Sequence, residues 1–154
     1  MVFDLKVRQA SSLSLNEIRQ AGSLSHLTSS GDSRVNILIV DEDVMVQQTC
    51  QAMLKQFGHT SIGVQNAVDA VKRLTETPLR FDLVILDNGL PELSGIELLN
   101  VLREWNLSIP VILISTNRPH PEIEELMEGF SNVQFLAKPF SMEALRAAIQ
   151  SSQA

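Results

Sequence analysis

Short runs of β-branched and aliphatic residues recur through most of the chain, and each is followed by a segment whose apolar residues have helical spacing. The first run, VNILIV over Val35–Val40, contains a single polar residue, which is typical of a strand buried on both faces. The next segment predicts a helix that Asp43 caps and Gly58 ends. The apolar face of that helix consists of Val46, Cys50, Met53, Leu54 and Phe57.

The same two patterns alternate along the rest of the chain. Four further strands are predicted, at Thr60–Val64, Phe81–Leu86, Val111–Ile114 and Val133–Ala137. Four further helices are predicted: from Asn66 to about Thr75, over Ser94–Trp105, over the acidic segment Pro121–Phe130, and after a cap at Ser141 with Met142, Leu145 and Ile149 on the buried side. Because neighbouring parallel strands need a crossover helix between them, this alternation predicts an α/β fold, a doubly wound parallel sheet with helices on both faces.

The chain before Arg34 has a different composition. Residues 11–33 are rich in serine and are interrupted by Gly22 and Gly31, which is typical of a linker. Ser14 and Glu17 fit a capping box, but too few apolar residues follow for a helix there to hold itself together. We therefore predict a flexible serine-rich tail over residues 1–33 and one folded domain over residues 34–154.

Composition narrows the possible partners and compartments. The 154-residue chain carries a formal net charge of −6, which gives no long-range attraction to nucleic acid or to an anionic membrane. It has one cysteine, so no internal disulfide can form and a reducing compartment fits. No apolar run approaches the length of a membrane span, and the N-terminus has no continuous apolar stretch of the kind found in secretion signals. We expect a cytoplasmic protein that binds neither nucleic acid nor membrane.

Polar residues with complementary chemistry follow four of the predicted strands. They are Asp41-Glu42-Asp43, Asp87, Ser115-Thr116 and Lys138-Pro139. In a parallel sheet the carboxyl ends of the strands meet at one edge, and two unit charges about 4 Å apart there would repel by roughly 4 kcal/mol. A cation is therefore expected, and oxygen ligands without clustered histidine or cysteine favour Mg²⁺ over Zn²⁺. With a lysine and a hydroxyl nearby, the set suits phosphoryl transfer to a carboxylate.

These motifs, taken in order, resemble a known family. ILIVDE, DLVILDNGLPELSG, PVILIS and FLAKPF are similar to the receiver domains of two-component response regulators, of the stand-alone chemotaxis type. The resemblance extends from about Arg34 to Gln150. It implies a flavodoxin-like sheet of five strands in the order 2-1-3-4-5, together with five helices.

The resemblance also implies a role for the residues at the strand ends. Asp87 corresponds to the phosphoacceptor, and Lys138 to the lysine that pairs with the phosphoryl oxygens. The Mg²⁺ ligands would be Asp41, Glu42, Asp87 and the backbone carbonyl of Gly89. Mg²⁺ is the one cofactor that the family leads us to expect.

A switch is implied as well. Ser115 corresponds to the hydroxyl residue that moves toward the phosphoryl group, and Phe135 to the aromatic residue that then turns inward. The peptide between Lys138 and Pro139 is expected to be cis, as X-Pro peptides permit. The sequence departs from the family in having Phe135 where a tyrosine would add a hydroxyl.

Two further departures bear on chemistry. Glu42 replaces the more usual aspartate of the acidic pair, and its longer side chain loses more rotamer freedom on binding a metal. Thr116 stands where the family prefers a small residue, so it narrows access to Asp87. These departures put the rates of phosphorylation and dephosphorylation in doubt.

The function that follows is a response regulator receiver. A sensor histidine kinase or phosphotransfer protein would donate a phosphoryl group to Asp87, and the modified domain would change its affinity for a downstream protein. The chain ends soon after the last predicted helix, so we expect this target to be bound in trans. The protein would be a monomer or a weak phosphorylation-dependent dimer, and not a turnover enzyme on an external substrate.

Three alternatives remain open at this point. A phosphorylation-independent pseudo-receiver would keep the fold and act as a protein-interaction module, and Glu42 and Thr116 are the features that favour it. An aspartyl phosphohydrolase would need a second aspartate two residues after Asp87, where this sequence has Gly89. A receiver related to hybrid kinases would have the same chemistry in a different pathway.

Overall fold

The structure, a computed structural model, describes residues 34–76, 81–116 and 121–153, with the backbone alone at Glu122, Ile123 and Leu126. Strands and helices alternate along the described chain. The strands are β1 (Asn36–Val40), β2 (Thr60–Val64), β3 (Leu83–Asp87), β4 (Val111–Ser115) and β5 (Val133–Ala137). The helices are α1 (Val44–Gln56), α2 (Ala67–Glu76), α3 (Gly95–Glu104), α4 (Pro121–Glu128) and α5 (Met142–Ser152).

The five strands form one parallel sheet in the order β2-β1-β3-β4-β5. This order confirms the predicted doubly wound, flavodoxin-like fold. The chain reverses its direction of winding between β1 and β3, which is the switch point where ligands of such sheets bind. The residues that follow β1 and β3 therefore lie where a site is expected.

Each face of the sheet carries its own apolar core. Alternate strand residues such as Ile39, Ile85 and Ile112 pack with Cys50 of α1 and Leu145 of α5. The residues between them pack on the opposite face against α2, α3 and the end of α4. The three central strands β1, β3 and β4 are buried on both sides, which explains their nearly unbroken apolar sequences.

Helix starts follow the predicted capping chemistry. The Asp43 side chain accepts hydrogen bonds from Met45 N and Val46 N at the start of α1. Ser94 and Glu97 form a reciprocal capping box at the start of α3. Ser141 caps α5 by accepting from Ala144 N. The caps at Asp43 and Ser141 were expected from the sequence, whereas Ser94 was predicted as the first residue of its helix and is instead its cap.

Several predicted boundaries are corrected by the structure. The third strand runs over Leu83–Asp87 and not over Phe81–Leu86, because Asp82 precedes the ladder and its carboxylate accepts from Asn36 N at 2.9 Å. The fourth helix ends at Glu128 and not at Phe130, since Phe130 N donates to Met127 O in a closing turn. The first strand begins one residue later and the fourth ends one residue later than predicted.

Some predictions fall outside the described residues. They are the flexible tail over residues 1–33 and the capping box at Ser14 and Glu17 within it. No helix among the described residues is long and apolar enough to cross a membrane.

Candidate functional site

Strand alternation carries three charged residues to the same face of the sheet. Ile39, Ile85 and Leu136 all pack in the core under α1 and α5. Two residues further along each strand stand Asp41, Asp87 and Lys138. Because successive side chains point to opposite faces, residues two apart share a face. The sheet therefore brings these three side chains together at its carboxyl edge, as the sequence predicts.

The three groups form one charge cluster. Lys138 Nζ lies 3.0 Å from Asp41 Oδ2 and 3.2 Å from Asp87 Oδ1, and it donates a hydrogen bond to each. The side chains of Lys138, Asp41 and Asp87 are 18%, 6% and 12% exposed. At this burial the charges are screened much less than surface ion pairs. One ammonium thus holds two carboxylates close to each other.

The pKa of Lys138 reflects this environment. Burial acts to lower the pKa, but the hydrogen bond from Lys138 to Asp41 and the charges of Asp87 and Asp41 raise it. The balance raises the pKa of Lys138 above its ordinary value of 10.5. The lysine is therefore fully protonated at neutral pH and acts as a fixed positive charge, not as a base.

Asp41 is held through both backbone and side chain. Its N–H donates to Val64 O at 3.0 Å, which ties the end of β1 to the end of β2. Its Oδ1 accepts from Asp43 N at 2.9 Å, so one oxygen faces the loop while Oδ2 faces Lys138. The start of α1 therefore fixes the orientation of this carboxylate.

Glycines leave room around Asp87. A Cβ atom on Gly95 would lie 3.0 Å from Asp87 O and 2.9 Å from a Leu113 methyl carbon, so the first turn of α3 packs directly on the end of β3. A Cβ atom on Gly89 would lie 3.4 Å from Asp87 Oδ2. The second carboxylate oxygen of Asp87 therefore faces Gly89, which is itself exposed to solvent.

The predicted switch residues lie on the two last strands. Ser115 ends β4 half-buried, Thr116 after it is exposed, and Phe135 in β5 is half-buried. Phe135 is opposite Leu113, two residues before Ser115, so Ser115 and Phe135 share a face. The backbone of Ser115 also accepts from Lys138 N at 2.9 Å. The peptide that follows Lys138 is cis, as expected.

The donors near Asp87 fit a hard divalent cation in type. Asp41 and Asp87 offer only oxygen, and Mg²⁺ is commonly held by one or two carboxylates with water and phosphate oxygens completing its shell. Within the described parts of the chain, no three His, Cys, Asp or Glu side chains converge as a metal-holding group. Glu42 is exposed, and its role as a ligand stays a prediction.

One polar residue beside this cluster was missed by the sequence analysis. Gln47 of α1 is only 7% exposed, and its amide donates to the carbonyls of Asp41 and Val64. Two signals pointed to it. Gln47 has helical spacing with the apolar residues Cys50 and Leu54, and Gly63 interrupts a predicted strand, which is typical of close approach by another group.

Comparison with known proteins agrees with this geometry. A family model for the response regulator receiver domain matches residues 37–150. The transcriptional regulatory protein ZraR of Klebsiella oxytoca is 30% identical over 122 residues, covering 79% of this chain and 27% of ZraR. The transcriptional regulatory protein KdpE of Mycobacterium tuberculosis is 30% identical over 122 residues, covering 77% of this chain and 52% of KdpE. The chain thus spans between about a quarter and a half of the length of these relatives.

Solved structures show the same fold. The chemotaxis protein CheY4 of Vibrio cholerae superposes with a TM-score of 0.68 at 22% identity, covering 78% of this chain and 99% of CheY4. The signal receiver domain of an HD domain-containing protein from Pseudomonas fluorescens superposes with a TM-score of 0.68 at 25% identity, covering 78% of this chain and 94% of that domain.

Proposed function

Because the chain belongs to the response regulator receiver domain family, we propose that Asp87 accepts a phosphoryl group from a phosphohistidine of a sensor histidine kinase or phosphotransfer protein. The observation that carries this proposal is the placement of the Lys138 ammonium 3.2 Å from Asp87 Oδ1 and 3.0 Å from Asp41 Oδ2. A carboxylate nucleophile thus lies beside a fixed positive charge and a second oxygen ligand. Receiver domains are signalling domains, so the proposed chemistry is limited to the protein's own phosphorylation and dephosphorylation.

The proposed step transfers one phosphoryl group. An oxygen of Asp87 attacks phosphorus in line, the P–N bond to the donor imidazole breaks, and the imidazole nitrogen leaves with the electron pair. The product is an acyl phosphate on Asp87. Lys138 orients and neutralises the phosphoryl oxygens, and the hydroxyl of Ser115 donates to one of them. A carboxylate oxygen loses no proton when it attacks phosphorus, so the step needs no general base.

Receiver domains generally bind Mg²⁺ at the phosphorylation site. In this chain Asp41 and Asp87 would hold the ion, with Glu42 and the Gly89 carbonyl as the further protein ligands that we propose. When bound, Mg²⁺ supplies positive charge that neutralises the phosphoryl oxygens. The ion pairs of Asp41 and Asp87 with Lys138 hold the two carboxylates near each other.

The proposal is tested by labelling the purified chain with radioactive acetyl phosphate in the presence of Mg²⁺. We expect labelling of the wild type, loss of labelling in Asp87→Asn, and retention of labelling in Asp82→Asn. Asp82 is a fair control because it is a half-buried aspartate at the opposite end of β3. A wild type that stays unlabelled, or an Asp87→Asn protein that labels equally, would show the assignment to be wrong.

We further propose that phosphorylation switches binding of a downstream protein. Ser115 and Phe135 share one face of β4 and β5, and the Ser115 backbone is bonded to that of Lys138, so movement of Ser115 toward the phosphoryl group would disturb the surface of β5. The relatives named above are transcriptional regulators longer than this chain. For this chain, with its net charge of −6, we propose a protein target and no direct contact with nucleic acid or membrane, in the cytoplasm.

A constitutive interaction module is the second candidate. The observation that favours it is the exposure of Glu42, since no three His, Cys, Asp or Glu side chains of the described residues are grouped so as to hold a metal ion. NMR spectra with and without the phosphoryl mimic beryllium fluoride separate the two candidates. Shifts at Ser115 and Phe135 support the switch, and spectra that remain superimposable at saturating mimic support the constitutive module.

A further inference from the structure

Gln47 is a buried polar residue that contacts the start of the acidic segment Asp41-Glu42-Asp43. It lies in the second turn of α1, is 7% exposed, and is one of three buried polar or charged residues in the described structure. Its Nε2 donates to Asp41 O at 2.6 Å and to Val64 O at 2.9 Å. A buried amide that makes two hydrogen bonds avoids the free-energy cost of desolvation. The side chain is therefore held in one place by the ends of two strands.

Gly63 makes the room for that amide. A Cβ atom at residue 63 would lie 2.1 Å from Gln47 Oε1 and 2.8 Å from Gln47 Cδ. The backbone of Gly63 lies in a regular strand, so the glycine is required here by space. The Gln47 amide could make way for a side chain at 63 only by leaving its two hydrogen bonds, because those bonds fix its position.

The hydrogen bond from Gln47 holds the backbone of Asp41, the residue whose carboxylate lies in the site. The Asp41 N–H donates to Val64 O, and the Asp41 carbonyl accepts from Gln47. Both polar groups of the Asp41 backbone are thus tied to one point, the end of β2. Beyond the backbone, the two Asp41 carboxylate oxygens meet Asp43 N and Lys138 Nζ. A shift of the backbone would change both of these distances.

We propose that Gln47, in the space that Gly63 leaves, is a positioning residue that sets the place of the Asp41 carboxylate. The inference rests on the proposed function only where it concerns Mg²⁺ binding and phosphorylation. Gln47 acts through the Asp41 backbone, because both of its hydrogen bonds go to backbone carbonyls. Residues that orient a metal ligand in this way are typically needed for full affinity.

The main test substitutes Gln47→Met, which keeps length and removes both donors. The amide of Asp43 reports on the Asp41 carboxylate, because Asp43 N donates to Asp41 Oδ1 at 2.9 Å. We expect exchange of the Asp43 amide with water, measured by NMR, to become roughly tenfold faster. The Mg²⁺ concentration that half-saturates binding should rise by about tenfold or more.

Two controls separate positioning from loss of stability. Gln48→Met makes the same change at the neighbouring exposed residue of α1, and both readouts should stay at their wild-type values. Thr75→Val removes a buried hydroxyl that bonds only within α2, to Val71 O and Lys72 O. It should lower stability while leaving the Asp43 amide and the Mg²⁺ midpoint unchanged.

A double substitution tests the pairing with Gly63. Gly63→Ala should displace the Gln47 amide from its two hydrogen bonds. The free energy of unfolding should then fall, and exchange of the Asp43 amide with water should become faster. Gln47→Ala with Gly63→Ala removes the clash, so stability should recover relative to Gly63→Ala alone while exchange at Asp43 stays fast. The proposal is overturned if Gln47→Met leaves exchange at Asp43 unchanged, or if Thr75→Val speeds it equally. If the wild type never accepts a phosphoryl group, the proposed function fails, and exchange at Asp43 still decides the role of Gln47.

Discussion

At the scale of residues, the site contains more negative than positive charge. Two carboxylates, Asp41 and Asp87, share the single ammonium of Lys138, so the cluster retains a negative charge for a cation to neutralise. These three residues were predictable because each directly follows an apolar strand, and alternation places them on one face. Gln47 was not assigned a role, because its contact with the Asp41 carbonyl depends on the exact depth and rotation of α1, which periodicity does not specify.

Loss of the shared ammonium should destabilise the fold. Lys138→Met leaves Asp41 and Asp87 facing each other without a counter-charge, and we expect the free energy of unfolding at pH 7 to fall by about 1–3 kcal/mol. Lys55→Met is the matched control, since Lys55 is an exposed lysine in the last turn of α1 and should change stability little. Urea denaturation of both variants measures the difference. Equal stability of the two variants would mean that the cluster contributes no net stabilisation.

His59 should make stability depend on pH. Burial, and secondly the charge of Arg146, lower the pKa of His59 below its ordinary 6.5, and its Nδ1 accepts from Val35 N, which only the neutral ring permits. Between the folded and unfolded pKa values the unfolded chain binds more protons, so this stabilisation is complete above about pH 6.5 and is lost as the pH falls through the folded pKa.

The titration of His59 can be followed directly. NMR of the imidazole ring should give a midpoint below 6.5, and Arg146→Gln should move it upward without reaching 6.5, because burial is the larger cause. A midpoint at or above 6.5 in the wild type would show that the ring is not buried as a neutral acceptor.

At the scale of elements, the sequence predicted all ten described strands and helices, and the errors lie at their ends. Capping residues located helix starts well because a side chain must accept the free N–H groups there. The ends of β3 and α4 were misplaced because they depend on pairing with distant segments. Asp82 is excluded from β3 by its bond to Asn36, and Phe130 leaves α4 for the cluster that packs against α3.

Two glycines give a matched test of how elements meet at the site. Gly95→Ala places a Cβ within 3.0 Å of Asp87 O, so we expect a loss of about 1–3 kcal/mol from overpacking together with slower phosphorylation of Asp87. Gly58→Ala has open space but a φ of +85°, so it should cost roughly 1–2 kcal/mol through backbone strain and leave the phosphorylation rate unchanged. Thermal unfolding and acetyl phosphate labelling measure both. Equal phosphorylation rates in the two variants would contradict the account of α3 packing on β3.

At the scale of the whole molecule, two separate cores flank one sheet, and the site spans the sheet edge between them. Asp41, Asp87 and Lys138 continue the strand positions that pack under α1 and α5, whereas Ser115 and Phe135 continue those of the opposite face. Phosphorylation would therefore couple the two faces. The motifs at the strand ends predicted the family and hence the strand order, but the surface that meets a partner depends on side-chain positions that periodicity leaves open.

Metal binding should raise the free energy of unfolding of the whole domain. Mg²⁺ that binds the folded chain alone should add about 1.4 kcal/mol to the free energy of unfolding at ten times its Kd. The midpoint of thermal unfolding should rise with Mg²⁺ in the wild type and not in Asp41→Asn, with sodium chloride matched for ionic strength. A rise of equal size in both proteins would indicate general screening of the net charge of −6 and no specific site.

The most direct test of the central claim is to identify the residue that carries the phosphoryl group. The chain is incubated with acetyl phosphate and Mg²⁺, the acyl phosphate is reduced with borohydride to an alcohol, and the modified residue is located by peptide mass spectrometry. The account predicts reduction at residue 87 alone. Reduction at Asp41 or Glu42, or no reduced residue after full incubation, would contradict it.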